Sequence, residues 1–293
     1  MISLADLAKE IERIDPIPVS QPRLAQVLAD PHSDLRDIVG IIEYDPALTA
    51  NALKLANSAY YSRGNPVHTV REAVMMLGAG RILEQSVGRN FRSRLVQACP
   101  GYDLEEEELW HHSVAAALAA DLLPQYAKTP IHPVAFTASL LHDIGKLILS
   151  RHLDDQVKEA IRVVERARGI PYVEAERAVL GFDHAQVGGV VASRWRFPES
   201  LVSAISHHHQ PPREEGTDNA LHAVHIANAV AKMIGVGLGS EAMNMLADNQ
   251  SARQLGLTPT ALESLCAAAA SELPAVVALF EDEEYGVQHS HRG

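Results

Sequence analysis

The sequence is poor in the residues that mark several common protein classes. It has two cysteines, Cys99 and Cys266, in 293 residues. That excludes a disulfide scaffold and a cysteine-rich zinc module. Thiols of this kind suit a reducing compartment, so the expected location is the cytoplasm. Aromatic residues make up only 5%, and no run shows the apolar–polar alternation of a half-buried strand. Positive charge is short, with 25 Lys and Arg against 37 Asp and Glu and a net charge of −12. Phosphate contacts need clustered cations, so nucleic acid is not an expected partner. No apolar run reaches the ~18 to 20 residues that span a bilayer. The best run, Val114–Leu123, is broken by Asp121 and rich in alanine, which suits a packed helix. The opening residues, MISLADLAKEIERID, carry early acids where a signal peptide would be apolar.

What is present is helical periodicity. Leu4, Leu7 and Ile11 recur at helical spacing, as do Leu35, Ile38, Val39 and Ile42, then Leu48, Ala52, Leu53 and Ala56. Ser33 and Asp45 are expected N-caps, with Pro46 at the first helical position. With 47% hydrophobic and 21% charged residues, the chain has the composition of a folded protein. An all-α fold is predicted. The segment Gln97–Leu104 (QACPGYDL) marks a seam between a helical N-terminal lobe of about 1–100 and a C-terminal lobe of about 101–280. A polar loop, Gln210–Asn219, interrupts the second lobe, and a polar tail occupies 281–293. Arg81, Arg89, Arg92 and Arg94 read as a solvated helix face, and Gly235-Val-Gly-Leu-Gly239 as a helix end. Tyr60 and Tyr61 are expected at the junction between the lobes.

The 15 histidines are clustered. His112 stands at the start of one expected helix, and His142 with Asp143 near the end of the next. An antiparallel pair brings such a start and end together. His184, preceded by Asp183 as a cap, and His207-His208-His209 repeat the arrangement around the turn at Phe197-Pro198. Two hairpins thus present His112, His142, Asp143, His184 and His208 or His209 to one point. Imidazole and carboxylate without thiolate suit Fe, Mn, Zn, Ni or Co. Two ions about 3.5–4 Å apart would activate water for phosphoester hydrolysis. His111, His207, His222 and His225 read as structural or solvent-facing. Lys146 is placed to meet a phosphate or to cap a helix C-terminus.

These residues resemble the HD superfamily in HDIGK at 142–146, H-x-x-x-G at 184–188 and HH at 208–209. The run DPALTANALKLANSAY at 45–60 resembles the HDOD (HD-related output) domain. So do Ile17-Pro18, Val70-x-x-Ala73 with Leu77-Gly78, Trp110-x-His112-Ser113, Leu180–His184, Trp195-x-Phe-Pro198 and Ala204–His209. The resemblance covers roughly 4–275. It implies a two-lobed helical domain with an HD-like core, working in bacterial signal transduction. Many such domains have lost the HD set, whereas this chain keeps His142-Asp143 together with His112, His184, His208 and His209. The final Asp ligand of HD enzymes corresponds to Asn228, a neutral amide, and their GYP segment is replaced by His208-His-Gln-Pro-Pro-Arg-Glu-Glu-Gly. The expectation is a regulatory protein acting through protein or ligand contacts, with a divalent metal (Fe, Mn, Zn or Ni) at a degenerate HD site. The alternative is a metal-dependent phosphohydrolase using Asp143 and Lys146. The implied partners are signalling proteins, with a nucleotide or phosphoester as candidate ligand.

Overall fold

The computed structural model of the chain describes residues 18–30, 32–62, 66–211, 219–241 and 249–281, with isolated positions 7, 9 and 11. Leu4, Ile17, most of the 210–219 loop and the tail after residue 281 lie outside the described residues. Among the described residues the fold is all-α, and the one extended pairing is an isolated bridge between Cys99 and Leu104.

From residue 18 onward, the first four helices of the described residues are α1 (Ser20–Ala29), α2 (Leu35–Glu43), α3 (Pro46–Ala56) and α4 (Val70–Leu77). Asp45 caps α3 as expected, accepting from Ala47 N and Leu48 N, with Pro46 following. The cap of α2 is Asp34 rather than Ser33. Its carboxylate accepts from Arg36 N and Asp37 N in a capping box, while the Ser33 hydroxyl turns back to Val27 O at 2.5 Å.

Helices α1, α3 and α4 gather on α5 (Ala79–Leu95), with α2 packed on those three, and α5 also packs against α6 (Glu108–Leu122), α7 (Ala135–Leu141), α8 (Ile144–Leu149) and α15 (Pro259–Glu281). One apolar core therefore runs from Leu24 and Ile42 through Phe91 to Val224. Arg81, on α5, is half-buried. It pairs with Asp121 at 2.7 Å and donates to the Tyr61 hydroxyl at 3.1 Å. Tyr60 donates to Glu272 at 3.0 Å. Arg89, Arg92 and Arg94 are half-buried too. The expected solvated face is instead a packing face, because α5 has neighbours on several sides.

The segment at 97–104 is no loose seam. Cys99, Tyr102 and Leu104 are buried, and the Pro100–Tyr102 turn packs on the Ser150–His152 turn. Gly101 N donates to Ser150 Oγ at 3.0 Å. Here Pro and Gly shape a tight turn that carries Tyr102 inward.

The remaining helices are α9 (Asp155–Arg168), α10 (Tyr172–Leu180), α11 (His184–Arg194), α12 (Glu199–Ser206), α13 (Asn219–Met233) and α14 (Asn249–Gln254). Helix α6 is apolar on nearly every face, as a fully enclosed helix must be, and α7, α13 and α15 enclose it. By length and composition, Pro259–Ala278 of α15, with mean hydropathy 1.4, is long and apolar enough to cross a membrane. Glu263, Glu272 and Pro274 interrupt its apolar residues, so it holds no unbroken apolar run. In the fold it lies along α6, α13 and α5.

Candidate metal centre

Both expected hairpins form, α6 with α7 and α11 with α12, and their ends meet. His112 comes from the first turns of α6. His142 closes α7 and Asp143 opens α8. The helix breaks between this pair, with Asp143 at φ −97° and ψ 10°, so the two side chains converge where a continuous helix would splay them. His184 is the first residue of α11, fixed by an Asp183–Gln186 capping box. The Arg177 guanidinium holds the other Asp183 oxygen. His208 and His209 follow the end of α12. A Cβ on Gly145 would lie 2.0 Å from His184 O and 2.6 Å from Gly188 N. Only glycine lets α8 approach α11 this closely and bring Asp143 to His184.

The structure therefore brings all six predicted positions together. His112, His142, Asp143, His184 and His208 are no more than 1% exposed, and His209 is half-buried. Asp143 Oδ2 lies 3.3 Å from His142 Nε2 and 3.6 Å from His112 Nε2. Asp143 Oδ1 lies 3.4 Å from His184 Nε2 and 3.7 Å from His208 Nε2. One carboxylate thus serves two donor groups, His112–His142–Asp143 and Asp143–His184–His208–His209, each with ligand atoms within 4.8 Å.

The outer hydrogen bonds aim the rings. His112 Nδ1 donates to Val236 O at 2.9 Å, His142 Nδ1 to Ser139 O at 2.6 Å, and His208 Nδ1 to Ile205 O at 2.8 Å. A carbonyl only accepts, so Nδ1 carries the proton and Nε2 of the neutral ring presents a bare lone pair. His184 Nδ1 donates to Glu176 Oε2 at 2.8 Å, and Tyr102 donates to Glu176 Oε1. This is the carboxylate–histidine support common at metal sites.

On the His112 side lone pairs then face one another: His112 Nε2 is 3.3 Å from His142 Nε2 and 3.1 Å from Asn228 Oδ1. On the other side His184 Nε2 lies 2.9 Å from His209 Nε2. His208 Nε2 and Asp143 Oδ1 are buried without a hydrogen-bond partner. Buried acceptors set against acceptors are costly unless a cation lies among them. The residues fit a divalent metal with imidazole and carboxylate ligands.

Charge is tuned around the cluster. Burial lowers His112 to about 3, with Asp143 opposing. Burial also holds His208 and His209 well below the ordinary histidine range. At His184 burial acts downward, but Glu176, Glu241 and Asp143 outweigh it and raise the group to about 10. Asp143 is held well below its ordinary value; burial opposes this, and His142 and Lys146 prevail.

Lys146 neither caps a helix nor reaches solvent. It is 3% exposed and lies 2.8 Å from Asp143 Oδ2 and 2.7 Å from Glu241 Oε1. Lys232 holds the other Glu241 oxygen. Glu241 ends a strap running from Gly235, and its carboxylate was not foreseen. In that strap Gly237 has φ +57°, and a Cβ there would lie 2.6 Å from His112 Cβ. Tyr102, Glu176, Lys232 and the Val236 carbonyl were missed as well. Among the remaining histidines, His225 Nδ1 donates to His208 O at 2.8 Å, His222 meets Ser251 at 3.1 Å, and His207 is exposed.

A profile of the HDOD domain matches residues 14–211. An uncharacterized protein of Treponema pallidum (strain Nichols) is 26% identical over 71% of this chain, which spans only 40% of that relative's length. A crystal structure of a candidate signal transduction protein from Marinobacter aquaeolei VT8 superposes with a TM-score of 0.69 at 23% identity, covering 94% of this chain and 60% of the other. An HDOD domain protein of unknown function from Geobacter sulfurreducens gives 0.65 at 24%, covering 94% and 96%. At these identities the two structures establish a shared fold.

Proposed function

Because the chain belongs to the HDOD domain family, we propose that it is a regulatory module of signal transduction whose buried His/Asp cluster holds a divalent metal as a structural or sensory ligand. The observation that carries this reading is the enclosure of the donor set. Among the described residues, five of its six side chains are at most 1% exposed, and their Nε2 atoms converge on one another within 2.9–3.3 Å at His112–His142 and His184–His209. So enclosed a donor set suits gripping an ion better than admitting a phosphoester.

When bound, a divalent ion supplies Lewis acidity and lowers the pKa of any water it holds. The chain's own residues do the rest. Tyr102 and Glu176 orient His184, and the Val236, Ser139 and Ile205 carbonyls fix the tautomers of His112, His142 and His208. Asn228 faces His112 where a carboxylate could have acted as a base, and an amide cannot take a proton at neutral pH. The free thiols Cys99 and Cys266 fit a reducing compartment. Output then passes through contacts with a signalling protein.

The second reading, a metal-dependent phosphohydrolase, draws on the intact His142-Asp143 pair and on Lys146 beside it. Elemental analysis of untagged protein purified without chelator tests the metal, with Asp143→Ala as control. Near-stoichiometric metal lost in the control, without turnover of phosphodiesters or nucleotides, is the expected result. Metal-dependent turnover abolished by Asp143→Ala would replace the regulatory reading with the hydrolase. A wild type that stays empty after anaerobic reconstitution would remove both metal readings.

A further inference from the structure

Resting on the metal reading above, we propose that the cluster is built for one tightly held divalent ion, among Asp143 Oδ1, His184, His208 and His209. The Lys146 ammonium serves as the permanent counter-cation of the other half. The two donor groups share Asp143 but differ in everything else. On the His184 side, Asp143 Oδ1 has no hydrogen-bond partner, and His208 Nε2 has none either. A second carboxylate oxygen, Glu241 Oε1, lies 3.7 Å from His184 Nε2. This half offers three imidazoles, a carboxylate oxygen whose nearest charged neighbour is the ligand His184 itself at 3.4 Å, and Glu241 Oε1, which it shares with Lys146.

On the His112 side the shared oxygen is already taken. Lys146 Nζ sits 2.8 Å from Asp143 Oδ2 and is held from behind by Glu241 Oε1 at 2.7 Å. The Tyr102 ring lies 5.5 Å from Nζ. With both carboxylates on it and almost no exposure, the ammonium has no polar place to withdraw to. An ion bound to the same oxygen would face it at a few ångströms in a medium of low dielectric. The remaining group on this side, Asn228, is neutral.

The total charge points the same way. Asp143, Glu176 and Glu241 accept hydrogen bonds or ion pairs as carboxylates, and Lys146 and Lys232 are ion-paired ammonium groups. Together they leave this enclosed shell one negative charge. One divalent ion brings it to plus one, and a bound hydroxide would bring it to zero. Two divalent ions would bring it to plus three, an uncompensated charge out of water.

The test uses the full chain, stripped of metal and titrated with Mn²⁺. Binding is followed by calorimetry and elemental analysis, and electron paramagnetic resonance reports ion–ion coupling. Wild type is expected to take one ion per chain with the six-line spectrum of isolated Mn²⁺. The double variant Lys146→Met/Asn228→Asp removes the ammonium and restores a carboxylate. It is expected to take two ions, whose coupling through Asp143 broadens or splits that spectrum. Asn228→Asp alone, with Lys146 kept, is expected to remain at one ion, and it tests the role of Lys146 if the double variant does not fold. Two ions in wild type or in Asn228→Asp, or one in a folded double variant, would overturn the inference and leave the metal reading standing. No ion in wild type would overturn the metal reading itself.

Discussion

Glu84 should make the chain lose stability as pH rises, and Glu84→Gln should abolish that loss. The side chain is 7% exposed, its Oε2 has no hydrogen-bond partner, and the Arg81 guanidinium comes no closer than 4.0 Å. Arg81 is itself taken up by Asp121. Burial therefore prevails over Arg81 and, with Asp121 adding to it, raises Glu84 from 4.5 to about 8. The unfolded chain releases this proton near the ordinary value, while the folded chain keeps it to about 8. Between those limits the folded state binds more protons, so stability falls with rising pH. At ~1.4 kcal/mol per pK unit, the loss is about 1 kcal/mol at pH 5, about 3 at pH 7 and approaches about 5 above pH 8. Glutamine keeps the shape and carries no proton. Denaturant unfolding of both proteins at pH 5 and pH 7 isolates the effect, since every other titrating group is common to them. The variant should gain on wild type by about 2 to 3 kcal/mol between the two pH values. A difference that does not change with pH would refute the buried, protonated Glu84.

Three further outcomes are expected. Glu176→Gln removes the carboxylate behind His184 and should weaken metal affinity about 10- to 100-fold by calorimetry, with the far-UV dichroism spectrum unchanged; equal affinity would show that Glu176 does not support the ligand. His184, raised to about 10, must shed its Nε2 proton to bind an ion, so Mn²⁺ uptake at pH 7 should release about one proton per chain. Calorimetry in buffers of different ionisation enthalpy measures it, and a buffer-independent heat would contradict it. Gly145→Ala places a methyl group against His184 O and Gly188 N, which should cost about 3 kcal/mol or more and lower ion uptake; an unchanged melting temperature would show that α8 and α11 can separate freely.

The helical class was legible because apolar spacing and caps are local signals. The His/Asp cluster was legible because each His or Asp is written at or near a helix end, and two hairpins suffice to gather such ends. Three kinds of error show where that logic stops. Ser33 and Asp34 are both good caps, and only geometry chooses between them. The Pro and Gly of 97–104 punctuate the chain whether they make a linker or a buried turn, so their role depends on Ser150, which is remote in sequence. Arg81 to Arg94 look solvated until α6, α7 and α15 are laid beside α5. The supporting groups were the least visible. Glu176 stands eight residues before His184 in an ordinary amphipathic helix, and Glu241 follows a glycine-rich stretch that reads as mere punctuation. Nothing local marks a carboxylate whose function is to face a lysine almost a hundred residues earlier.

The strap from Gly235 to Glu241 also fixes when the site can come into being. His112 depends on the Val236 carbonyl, and Lys146 on the Glu241 carboxylate. A chain growing from its N-terminus makes the HD pair early and these two supports much later. Until residue 241 has emerged, His112 lacks the acceptor that sets its tautomer and Lys146 lacks the anion that holds it in place. Closing contacts of such long sequence separation is slow and entropically costly. The cluster with its full set of supports is therefore complete only once residue 241 has been made, and chains arrested before the strap are expected to hold His112 and Lys146 less firmly.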